Sequence, residues 1–206
     1  MVARDPHPDQ ITGLILAGGR GRRLGGSDKG LVGCAGRPLI AWVIDALAPQ
    51  VGGGLLISAN RNLATYRALG WPVVQDREDD FAGPLAGLAS AMAAARTPWI
   101  LVVPCDAPLI PADLATRLAA ALVAERAELA LADDGERLHP LHALLPVDLA
   151  PSLDRFLASG QRAVRDWYAQ HHCAKADLSD QADAFRNLNT PADIAALRDR
   201  LAGRTE

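Results

Sequence analysis

Residues 14–30 read LILAGGRGRRLGGSDKG. The apolar run from Ile11 to Ala17 that leads into them has the length and composition of a buried strand. Gly18 and Gly19 end that strand. The chain then turns basic at Arg20, Arg22 and Arg23, glycine-rich again at Gly25 and Gly26, and basic once more at Lys29. A strand that opens into such a loop suits phosphate. Glycines let the backbone approach an anion and aim successive N–H groups at it, while Arg and Lys supply the opposing charge. Two familiar phosphate loops are excluded by the spelling. A P-loop places Gly-Lys-Ser/Thr after Gly and four residues, whereas the lysine here precedes its glycine in Asp28-Lys29-Gly30. A dinucleotide fingerprint needs G-x-G-x-x-G; Gly19 and Gly21 fit, but Leu24 stands at the third position.

Outward from this loop, strand and helix patterns alternate, which predicts a mainly parallel sheet covered by helices, an α/β fold. Strands are predicted at Ile11–Leu16, Leu55–Ser58, Val73–Gln75, Trp99–Val103 and Leu129–Ala132. Leu141–Leu145 reads as the next strand, with antiparallel pairing an option. Helices are predicted at Pro38–Leu47, Asn62–Leu69, Leu85–Ala95, Ala112–Ala124, Leu149–Leu157 and Ala163–His171. Ala192–Leu201 closes the chain as an amphipathic helix, with Thr190 at its N-cap and Pro191 at its first position. The glycine loop, Asn60, Asp76 and Asp106 all fall just after predicted strands. Ligands of open parallel sheets bind at the carboxyl ends of strands, so these four pieces would meet at one edge.

The 206 residues suffice for one domain with a full core, and 50% hydrophobic with 22% charged residues is ordinary for a soluble protein. A net charge of −3 gives no general attraction to nucleic acid or to acidic membranes. The basic residues near Arg20 are too few for a nucleic-acid face and lack interleaved aromatics. Three cysteines (Cys34, Cys105, Cys173) without paired spacing give neither a disulfide framework nor a zinc site, which fits a reducing, cytoplasmic setting. The N-terminus MVARDPHPDQ has no apolar h-region, and no apolar run approaches the ~20 residues that span a membrane. Residues 1–10 read as a flexible lead-in.

Among single residues, Asp106 is the strongest candidate. It stands at the tip of an apolar strand between Pro104 and Pro108, a place suited to a hard cation. Mg²⁺ favours one or two carboxylates plus substrate phosphate oxygens. A helix-capping role is open to Asp106, although Asp113 suits the start of the following helix better. Asn60 could equally make a local turn and Asp76 could equally cap a loop. His139 and His142 lack a metal-ligand partner set. His171-His172 suits a helix end. Asp79-Asp80 and Asp133-Asp134 read as solvated loops, and Trp42, Trp71, Trp99 and Trp167 as packing residues. Cys105 lacks a local base that would make it a nucleophile.

Taken together, LAGG with R-L-GG-x-DKG (16–30), GPLAGL (83–88), PCD-x-P (104–108) and N-x-NTP (187–191) resemble, in order, the motifs of molybdenum cofactor guanylyltransferases, the MobA family. The resemblance runs from Ile11 to about Leu201. It implies a three-layer Rossmann-like nucleotidyltransferase fold of the nucleotide-diphospho-sugar transferase type, with a nucleotide half at about 11–110 and an acceptor half at about 111–206. It implies nucleotide contacts at Leu16, Ala17, Gly18, Gly19, Lys29, Asn60, Asp76 and Asp106. Lys29 and Arg23 would act on the triphosphate, and Asp106 would hold Mg²⁺. Gly83, Gly87, Asn187 and Asn189 would serve the acceptor side; plain helix packing is open for the glycines, and a helix start for Asn-Thr-Pro.

The implied reaction moves GMP from GTP to molybdenum-molybdopterin and releases pyrophosphate. Cofactor-delivery proteins or molybdoenzyme chaperones would be transient partners, and neither nucleic acid nor membrane is expected. A related cytidylyltransferase carries LAAG where this chain has LAGG, so the second glycine and the DKG and PCD spellings point to guanine. A transferase of the same fold with another acceptor, or a non-catalytic nucleotide or cofactor carrier, remain alternatives. Intact Asp106 and Lys29 speak against the carrier.

Overall fold

The structure, a computed structural model, describes residues 5–17, 28–76 and 83–185, together with 193, 195 and 197. Nine strands and six helices are described: β1 (Ile11–Leu16), β2 (Gly33–Cys34), β3 (Arg37–Pro38), α1 (Leu39–Leu47), β4 (Leu55–Ser58), α2 (Leu63–Arg67), β5 (Val73–Val74), α3 (Pro84–Ala94), β6 (Trp99–Pro104), α4 (Leu114–Glu125), β7 (Leu129–Asp133), β8 (Leu138–Pro146), α5 (Ala150–Ala158), α6 (Val164–Tyr168) and β9 (Cys173–Asp177). Seven strands form one sheet in the order β5-β4-β1-β6-β8-β7-β9. All neighbours are parallel except β8, which runs antiparallel to both β6 and β7.

Side-chain alternation along the central strands builds two cores. Ile15, Ile57, Leu101 and Val103 face one side, where Val43 and Leu47 of α1, Tyr66 of α2, and Leu114, Leu118 and Leu122 of α4 cover them. Leu14, Leu56, Ile100 and Val102 face the other, under Leu85, Leu88 and Met92 of α3, Leu153 and Phe156 of α5, and Trp167 of α6. Burial on both faces explains why the parallel strands read as continuous apolar runs. The mainly parallel, helix-covered sheet expected from the sequence is therefore present, in three layers.

The chain order sets where a ligand fits. From β1 the chain crosses to β4 and β5 on one side, then returns through α3 to β6 on the other. That reversal lies between β1 and β6, whose parallel register runs from Ile11↔Trp99 to Leu16↔Pro104. An open α/β sheet binds its ligand in the crevice at such a reversal, outside the strands' carboxyl ends.

Several expectations are adjusted. The helix expected over Ala163–His171 is the shorter α6, and the strand expected at Leu141–Leu145 extends to both sides as the antiparallel β8. Cys173–Asp177 forms an additional strand, paired in parallel with β7. Of the expected closing helix, Asp193, Ala195 and Leu197 are described and helical, and Leu197 packs with Cys34 and Leu39. Over residues 5–10 the lead-in is held in place: Pro6 is buried, Pro8–Gln10 form a 3₁₀ turn, and Gly52 N–H donates to the Pro8 carbonyl. Asp133-Asp134, read as a solvated loop, is so only in part. Asp134 is 8% exposed and binds His139 Nε2 at 2.6 Å, because His139, on β8, folds back over the turn.

His142 is buried beside Phe185 and His139, and its Nε2 has no partner among the described residues. Burial, reinforced by the nearby His139, pushes its pKa down to about 3. A histidine whose folded pKa lies below its unfolded value leaves stability intact at neutral pH and loses it as pH falls through the unfolded value. Between about pH 6 and pH 4 the loss is about 1.4 kcal/mol per pH unit. The variant His142→Leu is expected to lack this slope. Urea unfolding at pH 7, 6, 5 and 4 checks it: the wild type should lose stability faster than the variant, and parallel curves would contradict a neutral buried imidazole.

Candidate active site

The tips of β1 and β6 are tied together one residue beyond their ladder. Cys105 N–H donates to the Leu16 carbonyl at 3.1 Å, and Ala17 N–H donates to the Ser58 carbonyl at the tip of β4 at 2.8 Å. These bonds fix Leu16 and Ala17 at the carboxyl edge, directly beside Asp106. Gly18, Gly19 and Arg23, with Arg20, Arg22, Gly25 and Gly26, lie outside the described residues, as do Asn187 and Asn189.

The chain is described again from Asp28, at the same edge. Lys29 Nζ donates to Asp106 Oδ2 at 3.0 Å, and both side chains are largely shielded from solvent. Two residues 77 apart in sequence, each singled out for phosphate or cation chemistry, are thus joined as an ion pair. Asp28 is held from the other side. Tyr66 O–H donates to its Oδ1 at 2.5 Å and Asn62 Nδ2 donates to its Oδ2 at 3.0 Å. Cys105 is buried, and its thiol pKa is pushed far up, first by burial and then by the Asp106 and Asp28 charges. It stays a neutral thiol, in keeping with the absence of a nucleophilic role.

Asn60 and Asp76 also meet. Asn60 Nδ2 donates to Asp76 Oδ2 at 2.8 Å, and Asp76 N–H donates to Asn60 Oδ1 at 2.9 Å. The second carboxylate oxygen of Asp76, Oδ1, is buried without a partner among the described residues. Burial raises the Asp76 pKa, and the Asn60 hydrogen bond opposes that rise. A buried acceptor left open commonly marks a place where something else donates.

The two acceptor-side glycines differ. Gly83 precedes α3 with φ +84, a left-handed conformation that favours glycine, and a Cβ there would meet nothing within 4 Å. Gly87 is inside α3 and buried. A Cβ there would lie 2.3 Å from Ser58 Oγ and 3.2 Å from Leu16 Cδ2, so its smallness is used in bringing α3 down onto the tips of β4 and β1. Beside Pro84 and Pro104 opens a pocket of about 440 Å³, also lined by His139, Pro140, Arg165 and Asp166. The roles of Tyr66 and Asn62 at Asp28, and the pocket residues Pro140, Arg165 and Asp166, escaped the sequence analysis. A Tyr on a short helix and the Asn that precedes that helix carry no signal until Asp28 is seen bonded to both.

No group of three or more metal-ligating side chains occurs among the described residues. Among the described residues, Asp106 offers one shielded carboxylate at the β1–β6 edge to a divalent ion. That set fits Mg²⁺, which keeps waters and takes substrate phosphate oxygens alongside one or two carboxylates. No described helix is long and apolar enough to cross a membrane.

Comparison with known proteins agrees with this fold. Residues 13–175 match the family model described as the MobA-like NTP transferase domain. A molybdenum cofactor guanylyltransferase of Shewanella loihica is 47% identical over 193 residues, covering 94% of this chain and 98% of that protein. One from Cupriavidus necator is 49% identical over 195 residues, covering 92% and 95%. Among solved structures, a molybdopterin-guanine dinucleotide biosynthesis protein A from Archaeoglobus fulgidus superposes with a TM-score of 0.75 at 20% identity, covering 93% of this chain and 99% of that one. By sequence over nearly its whole length and by fold, the chain belongs to the MobA-like NTP transferase family.

Proposed function

We propose that this enzyme transfers GMP from GTP to molybdenum-molybdopterin, forming molybdopterin guanine dinucleotide and pyrophosphate. The observation that carries the reading is the Lys29–Asp106 ion pair at the β1–β6 crevice. It keeps a cation for the triphosphate and a carboxylate for a divalent ion at the same point. Relatives that are 47–49% identical and bear the guanylyltransferase name support the choice of donor and acceptor.

The residues divide the work. The acceptor's terminal phosphate already carries negative charge near neutral pH, so it attacks the α-phosphorus of GTP with little need of a general base. The P–O bond to the β-phosphate breaks, and its electron pair leaves on pyrophosphate. The obstacle is the meeting of two polyanions. Lys29 and Arg23, with amides of the Gly18-Gly19 loop, neutralise the triphosphate and hold it in line. Mg²⁺ held by Asp106 and phosphate oxygens would supply further positive charge at the transferred phosphoryl group. With nucleotide and cation bound, the Lys29 ammonium would face phosphate and the Asp106 carboxylate would hold the cation, in place of the pair they form with each other.

Asn60 and Asp76 receive the nucleoside. Guanine presents adjacent N1–H and N2–H donors, which match a carboxylate with an unused buried oxygen. The pocket beside Pro84 and Pro104 would take the acceptor, the side for which Gly83, Gly87, Asn187 and Asn189 are proposed. It draws on both halves of the chain. Three cysteines without paired spacing, Cys34, Cys105 and Cys173, suit a cytoplasmic enzyme. Cofactor-delivery proteins and molybdoenzyme chaperones are its expected transient partners.

Pyrophosphate release tests the reading: it should require molybdopterin and Mg²⁺ and prefer GTP over CTP and ATP. Preference for CTP would make the chain a cytidylyltransferase, and GTP binding without release would make it a carrier. Asp106→Ala and Lys29→Ala are each expected to lower kcat at least about 100-fold at matched Mg²⁺; turnover at the wild-type rate would remove the residue from the chemistry. Asp76→Asn should separate stability from function. Because the folded pKa of Asp76 is raised, its charge destabilises the fold as pH rises through that value. Melting curves should therefore favour the variant at pH 7 and converge with the wild type in acid, while KM for GTP rises. A variant that melts lower at pH 7 and binds GTP equally well would contradict both assignments.

A further inference from the structure

We propose that Tyr66, together with Asn62, is the positioning residue for Lys29: its phenol anchors Asp28 and sets the depth at which the Asp28-Lys29-Gly30 turn delivers the ammonium to Asp106. The proposal rests on the reading that Lys29 and Asp106 serve phosphoryl transfer.

The chain has two lysines against 19 arginines. Lys175 is exposed on β9, so Lys29 is the one lysine at the carboxyl edge among the described residues. A lysine side chain is a flexible four-carbon stem, and an ammonium held at one point needs a fixed backbone beneath it. Lys29–Leu31 is a single 3₁₀ turn, closed by Leu31 N–H donating to the Asp28 carbonyl. An aspartate preceding such a turn ordinarily caps it with its own side chain. Here the Asp28 side chain makes no capping bond. Both of its oxygens are instead drawn to α2 and the residue before it, Oδ1 by Tyr66 and Oδ2 by Asn62. Two bonds to a carboxylate fix its rotation as well as its place.

Gly30 supplies the second constraint. It is buried, and a Cβ there would stand 2.7 Å from Tyr66 Oη and 3.4 Å from Cys105 Cβ and Sγ. The turn is therefore wedged between the Tyr66 phenol and the residue next to Asp106. Tyr66 itself is 0% exposed within the core, so its ring cannot yield easily. Burial, and then the Asp28 hydrogen bond, raise its pKa far above the ordinary value, which keeps the phenol a donor at any working pH. Asn62 takes a left-handed conformation at φ 51, which Asn tolerates better than most non-glycine residues. The segment that begins with Asn60, on the nucleoside side, thus ends with the two donors that orient Lys29.

The test combines lysine ammonium NMR with kinetics. With two lysines, ¹⁵N-lysine labelling gives two Nζ sites, and Lys29→Arg assigns them. Tyr66→Phe is expected to keep the fold, shift and broaden the Lys29 signal, leave Lys175 unmoved, and lower kcat by about tenfold with a smaller change in KM for GTP. Gly30→Ala alone should impair turnover more strongly. Adding Tyr66→Phe to Gly30→Ala should restore at least about fivefold, because the new methyl enters space vacated by Oη. If Tyr66→Phe unfolds, Asn62→Gly keeps the backbone conformation, removes one donor, and should shift the same signal. An unmoved Lys29 signal with kcat within about twofold of wild type, or additive losses in the double variant, overturns the proposal. The NMR readout needs no turnover. A wild type that fails to transfer GMP while its Lys29 signal responds to Tyr66→Phe would therefore refute the guanylyl reading and still support the positioning role.

Discussion

The site depends on one backbone relationship: the parallel register of β1 and β6, carried one step past the strands by Cys105 N–H donating to the Leu16 carbonyl. That bond places the start of the glycine-rich loop and the carboxylate of Asp106 on the same edge of the sheet. It lies where chain order reverses, the place at which an open α/β sheet binds its ligand. The apolar runs on either side make the arrangement rigid. Ile15 and Val103 are fixed in one core, and Leu14 and Val102 in the other. A slip of one residue would exchange those faces and carry Asp106 away from Lys29.

Against that rigid edge, the polar groups are held in pairs. Lys29 meets Asp106, Asn60 meets Asp76, and Asp28 meets Tyr66 and Asn62. A partly buried ion pair such as Lys29–Asp106 is weak evidence for stability, since desolvating two charges offsets most of their attraction. Its place at the ligand edge makes better sense as preorganisation: each charge is already where an anion or a cation will need it. Asp76 goes further: its Oδ1 is buried with no partner among the described residues, and burial raises its pKa.

Much of this was legible in the sequence, and the reasons differ by residue. β1, β4 and β6 are apolar runs bounded by glycine, asparagine or proline, so length and composition sufficed. Asp106 and the DKG turn were marked by their neighbours and by family resemblance. β9 was not legible because CAKAD buries only Ala174 and Ala176, and those two are covered only because β7 and α4 lie beside them. Asp133-Asp134 reads as a solvated loop from its composition, but Asp133 ends β7 and the burial of Asp134 depends on His139, across the hairpin. Gly87 shows the same limit. Its motif left both ligand approach and helix packing open, and the position of Ser58 shows that its missing Cβ lets α3 pack against β4. Pairings across the sheet edge are tertiary facts, which local pattern does not carry.

The central claim is that Asp106 leaves Lys29 for a divalent cation once nucleotide is bound at the crevice. Electron paramagnetic resonance of Mn²⁺, titrated into wild type and Asp106→Asn with and without GTP, reads this directly. The account predicts a tightly bound Mn²⁺ signal in wild type only when GTP is present, weakened strongly in Asp106→Asn. Equal Mn²⁺ binding in both proteins, with or without GTP, would contradict it.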